Sequence, residues 1–413
     1  MRIGMILDNE FPPDNRPEKE ALSLIAAGHR VSLLCPTFSD QKLVEDYKNI
    51  RVVRFKLSKE LRNKLRPLYL VLPFYGKIWD KQIQWFLANE KFDALHLHDL
   101  PLSDVALKYA RKYGLKLICD QHEYYSDWIV TTAHYNTTIG KIIKRFSDWK
   151  RYERKYLNLA DMVLTVEEPL REIYIKEVGI PPEKIISVPN TPSAEIFIST
   201  IPDDDLRKKY QDKFVLFYAG SIDSLRGLDM VVKALPRLRR KIPNILFVLA
   251  GKQHKYFDPL ELARSLGVGD LIEFVGYLSV ERIPAYLHIA SICVHTPKAT
   301  RVDSNHTIAT KIYQYAASGK PMIVTQAKMM KDFVEQNGLG VTVPYGDVDA
   351  FVAAVTNIFN NYDQTVRKVK ANSEKLLNSK RIFWEGTVQG MVAYYNKLEK
   401  QLREHKKSEL KAR

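Results

Sequence analysis

HTIATKIYQYAASGKPMI, His306 to Ile323, runs from a short polar lead-in through a helical pattern into a strand. The pattern predicts a helix over Thr310–Ala317, because Ser318-Gly319-Lys320-Pro321 supplies the stop. Glycine just past a helix end takes up the left-handed conformation, and proline soon after cannot continue the ladder. Met322-Ile323-Val324 then reads as an apolar strand. A helix so placed turns its N-terminus, with unpaired N–H groups and partial positive charge, toward whatever binds before it. Lys311 adds a full positive charge in the first turn. Such a place can hold an anion such as a diphosphate.

Working outward, strand and helix alternate along the chain. Apolar runs predict strands at Ile3–Leu7, Val31–Cys35, Ala94–Leu97, Leu115–Cys119, Met162–Val166 and Ile185–Val188. Helical stretches such as Lys19–Ala27 and Asp104–Tyr113 lie between them. After Pro189-Asn190-Thr191-Pro192 and Pro202-Asp203-Asp204-Asp205 the pattern restarts. The later strands are Phe214–Tyr218, Ile245–Leu249, Ile272–Val275, Ile292–His295, Met322–Val324 and Gly340–Val343. Alternation of this kind implies parallel sheets wrapped by helices, an α/β chain of two doubly wound domains. The expected boundaries are 1–190, a linker at 191–212, 213–380, and a C-terminal helix with charged tail at 381–413 that crosses back to the first domain. In open parallel sheets ligands bind beyond the carboxyl ends of the strands, so a cleft between two such domains is the expected site.

Composition limits the partners. The 413 residues carry 63 Lys and Arg against 48 Asp and Glu, a net charge of +15, which favours an anionic partner. No nucleic-acid-binding signature accompanies that charge. Cys35, Cys119 and Cys293 lie far apart in apolar runs, with neither metal-ligand spacing nor an even disulfide set, which suits a reducing, cytoplasmic setting. No apolar segment approaches the length of a membrane span, and the first apolar run is too short for a signal peptide.

Three successive strands of the second half end in glycine: Ala219-Gly220-Ser221, Ala250-Gly251-Lys252 and Val275-Gly276. Glycine lets a ligand approach the backbone. Arg226-Gly227 opens the next helix, and arginine matches phosphate oxygens bidentately. These residues, with Lys311 and Gly319-Lys320-Pro321, resemble the donor domain of a GT-B glycosyltransferase, most similar to glycosyltransferase family 4. Tyr286-Leu287, Ala290-Ser291-Ile292 and Trp384-Glu385 extend the likeness.

That resemblance implies two Rossmann-like domains and transfer of a sugar from a nucleoside-diphosphate sugar to an acceptor hydroxyl, with retention and without a metal or other cofactor. It implies that Arg226, Lys311, Gly220, Ser221 and Lys252 hold the donor diphosphate. Ser221 stands where the family usually has arginine. Gln314, His306, Asn305, Thr307, Gly251, Val275 and Gly276 would contact the donor sugar and nucleoside. His306 and Gln314 occupy the positions of the family's two glutamates; Asp303 is a further candidate.

In the first half, His96-Leu97-His98-Asp99 and Asp120-Gln121-His122-Glu123 each close a strand. By resemblance His122, Glu123 and His98 are the residues expected at the reacting centre, with His122 orienting the sugar. The loop Glu10–Glu20, with Pro12-Pro13-Asp14-Asn15-Arg16-Pro17, replaces the family's glycine-rich turn, and Asp14 and Arg16 are expected to face the cleft. Eight Lys and Arg against two acids between Arg54 and Lys81, with Trp79 inside and Trp85 just beyond, suit an anionic membrane surface. Lys141–Lys155, with Trp149, is a second basic stretch. The expected acceptor is therefore a glycan or a lipid-linked molecule in synthesis of a cell-surface polysaccharide or glycolipid, reached by peripheral contact at the inner face of the cell membrane. Two rivals keep the scaffold: a sugar-nucleotide epimerase, and a non-catalytic nucleotide-sugar-binding partner subunit.

Overall fold

The computed structural model describes residues 1–131, 146–198, 203–254, 257–298, 305–379 and 381–412. They form two compact units, one from 1–189 with 388–412 and the other from 190–298 with 305–387.

The first unit is built on eight strands: β1 Arg2–Ile6, β2 Arg30–Thr37, β3 Val44–Tyr47, β4 Ile50–Lys56, β5 Ala94–His98, β6 Lys116–Gln121, β7 Met162–Thr165 and β8 Ile185–Ser187. Their order is β3-β4-β2-β1-β5-β6-β7-β8. The pairings are parallel except for the antiparallel edge strand β3. The chain winds one way from β1 and the other way from β5, so the carboxyl ends of these two neighbours are the switch point where a crevice forms. β3 and β4 are additions to the sequence reading. Arg51 and Arg54 break the apolar run of β4, yet Arg54 is buried, its guanidinium bonded to the carbonyls of Phe11 and Lys42 and paired with Glu45.

The second unit holds β9 Phe214–Ala219, β10 Ile245–Ala250, β11 Ile272–Phe274, β12 Ile292–His295, β13 Met322–Thr325 and β14 Gly340–Val343. All pairings are parallel, in the order β11-β10-β9-β12-β13-β14. Period-two alternation explains its two-sided core. Leu216 and Tyr218 of β9 join the cluster formed with the helices Leu228–Arg239 and Val348–Asn360, while Val215 and Phe217 join Ile312, Tyr315 and Ala316. The switch point lies between β9 and β12.

Of the stretch 191–212, expected as a linker, residues 191–198 and 203–212 fold with the second unit. Asp203 caps the helix Asp204–Tyr210 by accepting the Leu206 N–H, and Leu206 and Tyr210 are buried. The acidic triplet is thus a cap followed by first-turn acids, favourable at the positive helix end. At the other end of the chain, the helix Gln389–Ala412 belongs to the first unit, burying Met391, Tyr395 and Leu398. Among the described residues no helix is long and apolar enough to cross a membrane.

Candidate functional site

The helix Thr310–Ser318 forms because Ile312, Tyr313, Tyr315 and Ala316 repeat at core-facing spacing, and Gly319 ends it at φ +66°. Its start carries no side-chain cap: Ala309 precedes it in extended conformation, and the Thr310 hydroxyl donates to the Asn190 carbonyl instead. Ile312 N–H turns back to the Ala309 carbonyl, which leaves the N–H groups of Thr310 and Lys311 to an anion.

Lys311 lies at the end of β9. Its Nζ is 4.0 Å from the Tyr218 ring centroid, and a Cβ on Gly220 would collide with it. Among the described residues no carboxylate pairs with this ammonium. Burial first, and the Arg226 charge second, push its pKa well below the usual lysine range. Arg226 engages Asp223 through Nε at 3.3 Å and is 40% exposed. Two cations thus share one strand end without an equal count of carboxylates, an unfavourable arrangement that an anion would relieve.

Glycines make room for this geometry. Gly251, at φ +144°, has no space for a Cβ because the Gly220 carbonyl occupies it, and Gly227, at φ +64°, is closed by the Thr296 carbonyl. The Thr296 hydroxyl in turn donates to the carbonyls of Arg226 and Gly227, fixing the loop that carries Arg226. Beneath lies His295, the last residue of β12, whose strand pattern in the sequence carries no mark of a site. It is 1% exposed, stacked on Tyr218 with centroids 6.4 Å apart, and its Nδ1 has no partner. Burial, then Lys311 and Arg226, hold it far below the usual histidine range, so it is a neutral spacer.

The remaining expected donor residues are placed as follows. Ser221 gives its carbonyl to the Tyr218 hydroxyl at 2.8 Å. Lys252 is exposed and contributes its carbonyl to Ile222 N–H. Val275 and Gly276 are half-buried, and the Gly276 carbonyl accepts from Gly251 N–H. Gln314 is 7% exposed. Asn305 is already engaged, its amide oxygen accepting Lys328 N–H at 3.1 Å. His306 and Thr307 are half-buried at the lead-in to the helix. Asp303 lies outside the described residues.

In the first unit the strand ends assemble a buried ionic network. Asp120, fully buried, accepts from Arg16 Nε at 3.0 Å, Arg16 Nη2 at 2.7 Å, His122 Nε2 at 2.7 Å and His98 Nδ1 at 3.3 Å. Burial would raise its pKa, but Arg16 and His122 hold it well below the carboxylate range. His122 faces carboxylates with both nitrogens, Nδ1 being 3.6 Å from Asp99. Burial pulls its pKa down; Asp120 and then Asp99 outweigh that and hold it up at about 10. His122 is therefore an imidazolium near neutrality, a donor rather than a base.

Two expectations for this region are corrected. His98, a candidate for the reacting centre, is fully buried and stacked on His96 at 4.6 Å, with its Nδ1 on Asp120, so it supports that carboxylate from below the surface. Arg16, expected to face a cleft, is spent on Asp120, Glu20 and the Val188 carbonyl. Glu123 is half-buried, and its carbonyl accepts from the Tyr174 hydroxyl. Asp99 closes β5 at φ +65°, a strained value for a non-glycine residue, with its side chain 29% exposed beside His122.

Glu20, His96, His98 and Asp120 bring ligand-type atoms within 4.8 Å of one another. The Arg16 guanidinium contacts both acids, and with His122 it already balances their charge. A divalent ion would add two positive charges to a buried, neutral cluster.

Comparison with known proteins matches residues 20–191 to the model described as Glycosyltransferase Family 4 and residues 203–398 to that described as Glycosyl transferases group 1. Among curated proteins, the phosphatidylinositol N-acetylglucosaminyltransferase GPI3 subunit of Saccharomyces cerevisiae is 22% identical over 307 residues, 73% of this chain and 62% of that protein. A GDP-mannose-dependent phosphatidylinositol monomannoside mannosyltransferase of Mycolicibacterium smegmatis is 26% identical over 50% of this chain and 54% of its own. The matched stretches thus span somewhat over half the length of these relatives. Among solved structures, sucrose-phosphate synthase from Thermosynechococcus elongatus aligns with TM-score 0.73 at 18% identity, over 97% of this chain and 99% of that one. Anabaena HepE in complex with UDP and glucose aligns with TM-score 0.68 at 16% identity, over 96% and 100%.

Proposed function

The chain belongs to the family 4 glycosyltransferases of GT-B fold, and from that premise we propose that it moves a hexose from a UDP- or GDP-sugar to a hydroxyl of a glycan or lipid-linked acceptor. The observation that carries the donor half is the cation pair Lys311 and Arg226, set with an uncapped helix start at the end of β9.

The chemistry follows from charge. As the glycosidic bond to the diphosphate breaks, negative charge grows on the leaving oxygens. Cations and N–H groups already fixed there stabilise it without reorganising. Lys311, whose ammonium is disfavoured by burial and by Arg226, gains most when that charge appears. Gly220 and Gly251 keep the backbone open to the phosphates. With Lys311, Arg226 and the helix start carrying that charge, this reading routes no step through a metal. The imidazolium His122, its Nε2–H held by Asp120 and its Nδ1 3.6 Å from Asp99, offers the Nδ1–H to a sugar oxygen, and the departing phosphate takes the acceptor proton, which fits front-face transfer with retention. The place proposed is the inner face of the cell membrane, in assembly of a surface polysaccharide or glycolipid.

A thermal-shift panel of UDP, GDP and their sugar conjugates tests the donor reading, since a ligand that binds only the folded state raises its melting temperature. We expect one nucleotide series to stabilise the protein and Lys311→Ala to abolish most of that shift. No shift with any nucleotide at millimolar concentration refutes the assignment. Release of free nucleoside diphosphate only in the presence of acceptor separates transfer from epimerisation.

A further inference from the structure

The helix Phe74–Asn89 has two apolar faces, and only one is used by the fold. Tyr75, Trp79, Ile83 and Phe86 are buried in the first unit. At ~100° per residue, Phe74, Lys77, Lys81 and Trp85 fall within an arc of about 80° on the other side, a stripe about 16 Å long. Phe74 is 55% exposed, Trp85 is 50% exposed, and both lysines between them are exposed. Val71 and Leu72, 53% and 37% exposed, continue the apolar surface beyond the Phe74 end.

Charge along this stripe has one sign. Lys59 and Lys64 of the preceding helix Lys59–Leu65 are exposed as well, beside the exposed Glu60. Asp80, the acid within the Phe74–Asn89 helix, is paired with Lys108 and lies off the stripe. Of the basic residues that drew attention in the sequence, Arg54, Arg62 and Arg66 point elsewhere. Arg62 and Arg66 hold Asp8 at the end of β1, and Tyr75 donates to the same carboxylate. Those three contacts pin the hairpin of the two helices by its root and leave its outer stripe to solvent.

We propose that this stripe docks the protein on an anionic lipid bilayer, lying in the plane of the interface with Phe74 and Trp85 as its two anchors. Two exposed aromatics separated by lysines, with no acid among them, match that surface in both terms. Aromatic rings partition to the headgroup boundary, and lysine stems reach along apolar surface while their ammonium groups meet lipid phosphates. The inference deepens the lipid-linked acceptor of the proposed function and rests on that reading for its purpose; the binding itself stands on the stripe.

The test is co-sedimentation with phosphatidylcholine vesicles with and without about one-third phosphatidylglycerol, at low and high salt. Binding is expected only to the anionic vesicles and is expected to weaken with salt. Lys77→Gln with Lys81→Gln should lower partitioning about 25-fold, roughly fivefold per lysine. Phe74→Ser with Trp85→Ser should reduce it at least as far. Tyr113→Ser, an exposed aromatic on another helix, should leave it unchanged. Lipids carrying a bromine quencher should dim Trp85 fluorescence, read as the difference from Trp85→Phe. Equal binding by all variants, or no binding to anionic vesicles at low salt, overturns the proposal. Self-association removed by the aromatic pair without vesicle binding also overturns it and assigns the stripe to a second copy of the chain. The UDP or GDP thermal shift, measured on the same variants, reports the donor reading separately: its absence refutes that reading and leaves the vesicle result standing.

Discussion

The charge state of His122 makes a quantitative prediction. Its pKa is 6.5 in the unfolded chain and about 10 in the folded one, so folding favours the protonated form. The stabilisation is fully present below pH 6.5 and is lost as pH rises toward 10. At ~1.4 kcal/mol per pH unit the shift sets a ceiling near 5 kcal/mol. Water reaches a ring that is 21% exposed, and we expect about 2–3 kcal/mol of that to be measurable. Urea unfolding of the wild type should therefore show stability falling steadily between pH 6.5 and 10. His122→Asn should start less stable and show a much flatter profile over that window. Nitrogen-15 spectra of histidine-labelled protein should show one ring, missing in His122→Asn, that keeps both N–H protons at pH 8. An identical pH slope in the two proteins, or a His122 ring that titrates between pH 6 and 7, would refute the carboxylate clamp. It would also restore His122 as a candidate base.

Three further outcomes are expected. Arg226→Ala and Lys311→Ala should each weaken nucleoside-diphosphate binding by one to two orders of magnitude in calorimetry, the range for charge-assisted hydrogen bonds of about 1.5–3 kcal/mol. Gly251→Ala should abolish that binding and lower the melting temperature, because the added methyl meets the Gly220 carbonyl at a backbone angle that suits only glycine. Asp120→Asn should cost about 3–5 kcal/mol in urea unfolding, because the buried Arg16 and the clamped His122 lose the carboxylate they share, whereas Glu123→Gln should cost far less.

The alternation of apolar strands was legible because period-two and helical patterns are local. So was the stop at Gly319, since a positive φ there needs glycine. The strand-end glycines could be read for the same reason. What stayed hidden was pairing across sequence distance. Nothing near Arg16 announces that its partner is Asp120, and the two neighbouring histidines at 96 and 98 could not be told from ligands until their burial was known. Arg54 read as surface charge because its acceptors, carbonyls of Phe11 and Lys42, belong to backbone and leave no mark in composition. Trp79 and Trp149 looked like membrane-facing aromatics and are core; Trp85 is exposed. Of the second basic stretch, 141–145 lie outside the described residues. Tyr395 reaches His96 from almost three hundred positions away, at 3.0 Å.

That last contact bears on how the polypeptide is made. Among the described residues one unit is drawn from the stretch 190–387 while the other is drawn from stretches on either side of it, so a ribosome finishes the later lobe before it emits the helix that seals the earlier one. During that interval the His96 side of the earlier lobe waits uncovered. A nonsense codon after position 387 would therefore damage the lobe encoded first and spare the one encoded last.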